Sequence, residues 1–136
     1  MASVGLHVDQ EQNLTVVTVT GMLADEHIRH VMTRPEFGTT VRVLWDLRNA
    51  SFANMDAENL ARVAEEHAPL LQKHATRRSA VVVADEETVP AVRLYFEIAR
   101  YRFGRDVPGF VTTEMSRARR WLSQYRTLSE RGLAAE

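Results

Sequence analysis

The sequence contains no cysteine, which removes disulfides, thiolate metal sites and cysteine nucleophiles together. It also lacks a charge bias. Seventeen Lys and Arg stand against eighteen Asp and Glu, a net charge of −1, so nothing draws the chain electrostatically to nucleic acid or to an anionic membrane. No stretch approaches the roughly 18 apolar residues of a membrane span. Residues 1–10 have neither a basic start nor a long apolar run, so a soluble, cytoplasmic protein is expected. Glycines are scattered singly at Gly5, Gly21, Gly38, Gly104, Gly109 and Gly132, and such spacing builds no phosphate-cradling loop. Neither Ser51 nor Ser79 lies in a Gly-x-Ser-x-Gly turn or a Ser-x-x-Lys pair, the settings that make a serine nucleophilic. The triplet Asn49-Ala50-Ser51 matches a glycosylation acceptor, but no secretion signal accompanies it.

What is present is the pattern of one α/β domain. A length of 136 residues suits a single core, with residues 1–12 and 130–136 expected at the periphery. Val4–Val8 and Leu14–Thr20 read as an antiparallel hairpin, the second strand ending at Gly21. Asp25–Thr33 spaces Ile28, Val31 and Met32 as a helix that Pro35 stops. The run Val41–Leu47 is an apolar strand meeting an acid at Asp46, and Arg48–Phe52 then reads as a polar turn. Asp56 caps a helix carrying Leu60, Val63, Ala64, Ala68 and Leu71 on one face, with Pro69 kinking or restarting it. Ser79–Ala84 is a second buried strand, and Thr88 and Pro90 stand at the start of a helix over Val89–Phe103. Val107–Val111 makes the last strand, and Thr113 opens a final helix bearing Met115, Ala118, Trp121, Leu122, Tyr125 and Leu128. Three successive strand-to-helix units predict an α/β fold, a single mixed sheet of four to five strands flanked by helices.

Candidate chemistry is sparse. Asp46 and Asp85 each follow an apolar strand, where open α/β sheets bind ligands. Two such acids could hold a cation, or each could accept hydrogen bonds in its own turn. His27 and His30 share the spacing of a metal-binding pair but have no third ligand, and a solvated helix face accounts for them more simply. His67 and His74 read as surface residues. Arg117, Arg119, Arg120 and Arg126 on the last helix, and Arg100, Arg102 and Arg105 near the end of the preceding one, read as solvated faces and dipole partners. No metal and no cofactor are implied, and a metal-dependent enzyme using Asp46 and Asp85 is the weakest of three readings.

The helix Val89–Phe103 is more telling because it is apolar on two sides. Val92, Phe96, Ala99 and Phe103 form one stripe, and Leu94, Ile98 and Tyr101 form another roughly 180° away at about 100° per residue. A sheet covers only one of them. The other requires a neighbouring helix, a second subunit or a lipophilic ligand. A pocket for an acyl or similar ligand would use Phe96, Leu94, Ile98, Tyr101 and Trp121.

Four segments together carry a resemblance: Val19-Thr20-Gly21-Met22-Leu23, Val43-Leu44-Trp45-Asp46-Leu47, Arg78-Ser79-Ala80-Val81-Val82, and Ala118 followed by Trp121-Leu122. Over about residues 14–123 the chain resembles the SpoIIAA-like family, related to STAS domains and grouped with small Sec14-like lipid-binding folds. The resemblance implies a non-catalytic binding and regulatory module. Its targets would be a protein partner or a second copy in a homodimer, with a lipophilic carrier as the alternative. It also implies a phosphorylatable serine where the third strand enters its helix, but Phe52–Glu58 carries no hydroxyl, and Asp56 and Glu58 put negative charge there instead. The expected partner surface is the loop Arg48–Asp56, with Arg48, Asn49, Ser51, Asn54 and Asp56 as its contacts, because loops held on rigid strands carry recognition. The expected apolar pocket or dimer face is Leu94, Ile98 and Tyr101.

Overall fold

The computed structural model describes residues 3–53, 56–66, 77–103 and 109–124, except for the side chains of residues 57, 99, 102 and 103. Its strands are β1 (Ser3–Asp9), β2 (Leu14–Met22), β3 (Arg42–Ser51), β4 (Arg78–Val83) and β5 (Gly109–Thr112). Its helices are α1 (Asp25–Met32), α2 (Ala57–Glu66), α3 (Val89–Phe103) and α4 (Met115–Ser123), with a 3-10 turn over Pro35–Thr39. The sheet runs β1-β2-β3-β4-β5. β1 is antiparallel to β2, and every other neighbouring pair is parallel.

Each parallel crossover steps the same way across the sheet, so right-handed connections bring α1, α2 and α3 to one face. The core divides accordingly. Val17, Val19, Val43, Leu47, Val81, Val83 and Val111 pack with Leu23, Val31, Leu60, Val63 and Val92 on that face. Leu14, Leu44, Ala80 and Val82 pack beneath Ala118 and Leu122 of α4 on the other. β4 is buried on both faces from Ala80 to Val83, as a central parallel strand must be.

The amino ends of the strands are tied by buried polar groups. Asn13 sits at φ 54° in the hairpin turn, a conformation asparagine tolerates, and its side-chain carbonyl accepts from the Val41 amide at 2.9 Å. The Thr40 hydroxyl donates to the Arg42 carbonyl at 2.9 Å, so it accepts from Thr15 at 2.6 Å and from Arg77 at 3.0 Å. Arg42 is buried and donates to the Leu122 carbonyl at 3.0 Å and the Gln12 carbonyl at 3.2 Å. It thereby fastens the last turn of α4 to the β1–β2 hairpin.

Two expectations need correction. β2 does not end at Gly21, which adopts φ 89°, open to glycine, and keeps its pairing with Ala50. Arg48–Ser51 is not a loop but the continuation of β3. Thr18 pairs with Asp46 and Thr20 with Asn49, so one extra residue bulges from β3 around Leu47-Arg48 and the ladder resumes to Met22 opposite Ser51. Pro35 opens the 3-10 turn as well as limiting α1. The expected positions Ala68, Pro69, Leu71, His67, His74, Val107, Tyr125, Arg126 and Leu128, with Gly104 and Arg105, lie outside the described residues.

Candidate functional site

The bulge in β3 shapes the surface at the carboxyl end of the sheet. It re-aims the strand after Asp46, as bulges do, and leaves Arg48, Asn49 and Ser51 exposed on a strand rather than on a free loop. Beside them Met22 is 43% exposed. The Arg48 guanidinium forms a fork with Asp46, Nε to Oδ1 at 2.9 Å and a terminal nitrogen to Oδ2 at 2.8 Å, and the Arg48 amide adds a bond to Oδ1 at 3.2 Å. These bonds from Arg48 hold the Asp46 carboxyl below its ordinary range against the opposing effect of partial burial, with Arg119 of α4 adding through-space attraction. Asp46 in turn raises the Arg48 guanidinium. Arg48 is therefore held in place and locally neutralised, which suits positioning more than long-range attraction.

The Ser51 hydroxyl accepts from the Ala53 amide at 3.3 Å. Asp56 caps α2, its Oδ1 accepting from the Asn59 amide at 2.8 Å. Asn54 lies outside the described residues. Of the residues read as a partner surface, Arg48, Asn49 and Ser51 thus share one rigid ribbon, and Asp56 stands at the start of the helix that follows. Met22 was not legible as a contributor, because its exposure follows from pairing with Ser51 beyond the bulge.

The other candidate acids and imidazoles are committed locally. Asp85 Oδ1 accepts from the Thr88 amide at 3.0 Å and the Thr88 hydroxyl at 2.8 Å, closing the turn into α3. His27 Nδ1 accepts from the Ala24 amide at 2.9 Å, half of a capping box at the start of α1. Among the described residues no group of three or more His, Asp and Glu could hold a metal ion.

Between the sheet and α1, α2 and α3 lies an apolar cavity of about 90 Å³. Ile28 and Met32 of α1, Phe37, Trp45 and Val81 from the sheet side, and Val92, Tyr95 and Phe96 of α3 line it, with Arg77 and Ser79 as its polar members. Phe37 meets Trp45 edge-on at 5.9 Å, and the Arg77 guanidinium lies 4.4 Å from the Phe37 centroid. Burial pushes Arg77 down to about 10, still cationic at neutral pH. Burial also pushes the Tyr95 phenol up, the Asp25 carboxylate adding to the effect.

This cavity is not the one expected from the sequence. Trp121 stacks on Phe110 at 5.3 Å and under Arg78 at 4.3 Å on the α4 face, with the sheet between it and Phe96. Leu94, Ile98 and Tyr101 instead line an outer groove with Ala61 and Glu65 of α2. The inner stripe of α3 does meet the sheet through Val92 and Phe96.

The sequence matches no protein-family model and no curated protein. Among solved structures it is similar to an uncharacterized protein from the DUF3478 family with a SpoIIAA-like fold from Shewanella loihica PV-4. Identity is 16%, 89% of this chain and 93% of that chain are covered, and the TM-score is 0.50. The fold is SpoIIAA-like. In this SpoIIAA-like sheet, β2 to β5 all point their carboxyl ends the same way, and the bulged β2–β3 ribbon stands at that end. Among the described residues no helix is long and apolar enough to cross a membrane.

Proposed function

We propose that the protein is a single-domain, non-catalytic binding and regulatory module of STAS type, working in the cytoplasm by docking a partner protein on the bulged β2–β3 ribbon. One observation carries this reading. The ladder from Thr20–Asn49 to Met22–Ser51 continues past the bulge and turns Arg48, Asn49, Ser51 and Met22 outward on a rigid support. Preorganised side chains lose little freedom on binding. A methionine adapts its shape to an apolar partner surface, while Asn49 and Ser51 supply hydrogen bonds around it, the mixed character of a protein interface. With Arg48 neutralised by Asp46, the partner is recognised by shape and hydrogen bonding more than by charge. Asp56 extends the same surface at the start of α2.

Affinity capture from cells of the source organism tests this, comparing the wild type, a Met22→Glu/Asn49→Glu variant and an α4 control, Arg120→Glu. The wild type and control retain the same protein and the ribbon variant loses it, at unchanged melting temperature. Equal retention by all three defeats the proposal.

The cavity favours a second reading, a carrier of a lipophilic ligand. A space of about 90 Å³ costs about 2 kcal/mol at about 24 cal/mol per Å³, a cost that a bound apolar molecule offsets. Native mass spectrometry of freshly purified protein reads it directly, through extra mass released on gentle activation. A clean apo spectrum, together with no thermal shift on adding a panel of fatty acids and small aromatic compounds, removes it.

A further inference from the structure

We propose that the outer row of α3 is a self-association face that seats the same helix of a second copy, antiparallel, about a two-fold axis passing at Ile98. Leu94, Ile98 and Tyr101 recur at helical spacing along the groove between α2 and α3, with Ala61 leaving room beside them. Tyr101 is 86% exposed, a large aromatic ring at the end of a row whose Leu94 and Ile98 are half-buried. Glu97 and Arg100 flank the same row.

The order of these residues is self-complementary. Across a two-fold at Ile98, residues equally far before and after it meet. Ile98 faces Ile98, Leu94 falls beside Tyr101 of the second copy, and Glu97 falls beside Arg100 of the second copy, each to within about one residue of the helical register. Symmetry makes both unlike pairs twofold, giving two apolar contacts and two ion pairs around one central contact. A parallel two-fold would carry the Glu97–Arg100 flanks of the two copies to opposite sides of the contact, where neither ion pair forms. The charge order therefore selects both the occupant and its direction. Neither Glu97 nor Arg100 has an ion pair within the subunit among the described residues, so both are available across the axis. This face is separate from the β2–β3 ribbon, and either surface can fail without the other.

Sedimentation equilibrium of the full chain tests the proposal with four proteins: wild type, Glu97→Arg, Arg100→Glu and the double reversal. The wild type forms a dimer. Each single reversal weakens it by roughly tenfold or more, since each creates two like-charge contacts, and the double reversal restores it to within about threefold. Tyr101→Glu, at a position too exposed to matter for folding, also weakens the dimer. A monomeric wild type up to roughly 200 μM overturns the proposal. So does a dimer indifferent to the single reversals and to Tyr101→Glu, which would lie on another face.

Discussion

Val81 and Val82 are neighbours on β4 whose side chains leave opposite faces of the sheet, and replacing each by isoleucine probes how differently those faces are packed. Val81 is 4% exposed and lines the cavity beneath α3. Val82 is fully buried among Leu44, Ala118 and Leu122. The extra methylene of Val81→Ile enters existing space, and at about 0.8 kcal/mol per buried methylene it stabilises the fold by about that amount. The ceiling is the cost of the whole 90 Å³, about 2 kcal/mol. Val82→Ile instead forces a methylene into a contact already made by α4 and costs about 1–3 kcal/mol. Both residues are β-branched, so strand propensity cancels between the two substitutions. Urea unfolding at fixed pH gives each difference from the shift in midpoint at constant slope. Val81→Ile should also raise the melting temperature by about 2–4 °C. If both variants are destabilised alike, the cavity does not exist in solution and the lipophilic reading goes with it.

Three further outcomes follow from the packing and the ion pairs. Arg42→Met keeps the buried stem but loses the bonds to the carbonyls of Leu122 and Gln12, and urea unfolding should register about 3 kcal/mol of destabilisation; a loss below about 1 kcal/mol means α4 is not fastened through this residue. A methyl group added at Gly109 would lie 2.6 Å from the Phe96 ring. Gly109→Ala therefore costs about 1–3 kcal/mol, most of it recovered in a Phe96→Leu background, and strict additivity of the two changes excludes that contact. The third concerns pH. Asp46 titrates below its ordinary 3.8 when folded, so its pair with Arg48 contributes stability above that value and loses it as pH falls through the depressed folded one. Arg48→Gln should be less stable than wild type at pH 7 by under about 1 kcal/mol, the usual range for a partly exposed pair. The gap should narrow as pH falls below 3.8, and a gap unchanged by acidification is not due to this pair.

Much of the architecture is legible in the sequence because local and tertiary signals agree. The apolar runs Val43–Leu47 and Ala80–Val83 are strands, the second buried on both faces, and Asp56, Asp85 and Thr88 mark helix starts through bonds that need only their own neighbours. The span Val89–Phe103 is a helix as its periodicity requires. What is not legible depends on pairing across strands. The bulge at Leu47-Arg48 converts a polar segment into strand, and no residue in Arg48–Ser51 announces it, since the slip exists only relative to Thr18 and Thr20 of β2. The exposure of Met22 follows from the same slip.

The cavity is hidden for a different reason. Its walls come from three helices, two strands and the 3-10 turn, and Trp45, Phe37 and Tyr95 each look like ordinary core in isolation. Trp121 and Phe96 sit on helices whose apolar faces look equivalent in sequence, yet the sheet stands between them, because α3 crosses over one face and α4 follows the edge strand back onto the other. Arg77 carries no signal of its own ahead of the strand Ser79–Ala84, and only the fold brings its guanidinium over Phe37.

The measurement that bears most directly on the binding-module reading is photo-crosslinking in living cells from single positions. A benzophenone side chain placed at Met22 or at Asn49, both exposed on the β2–β3 ribbon, should trap one and the same protein, while the same group at Arg117 on exposed α4 traps none of it. No adduct from either ribbon position, or the same adduct from Arg117, contradicts a partner docked at the bulged ribbon.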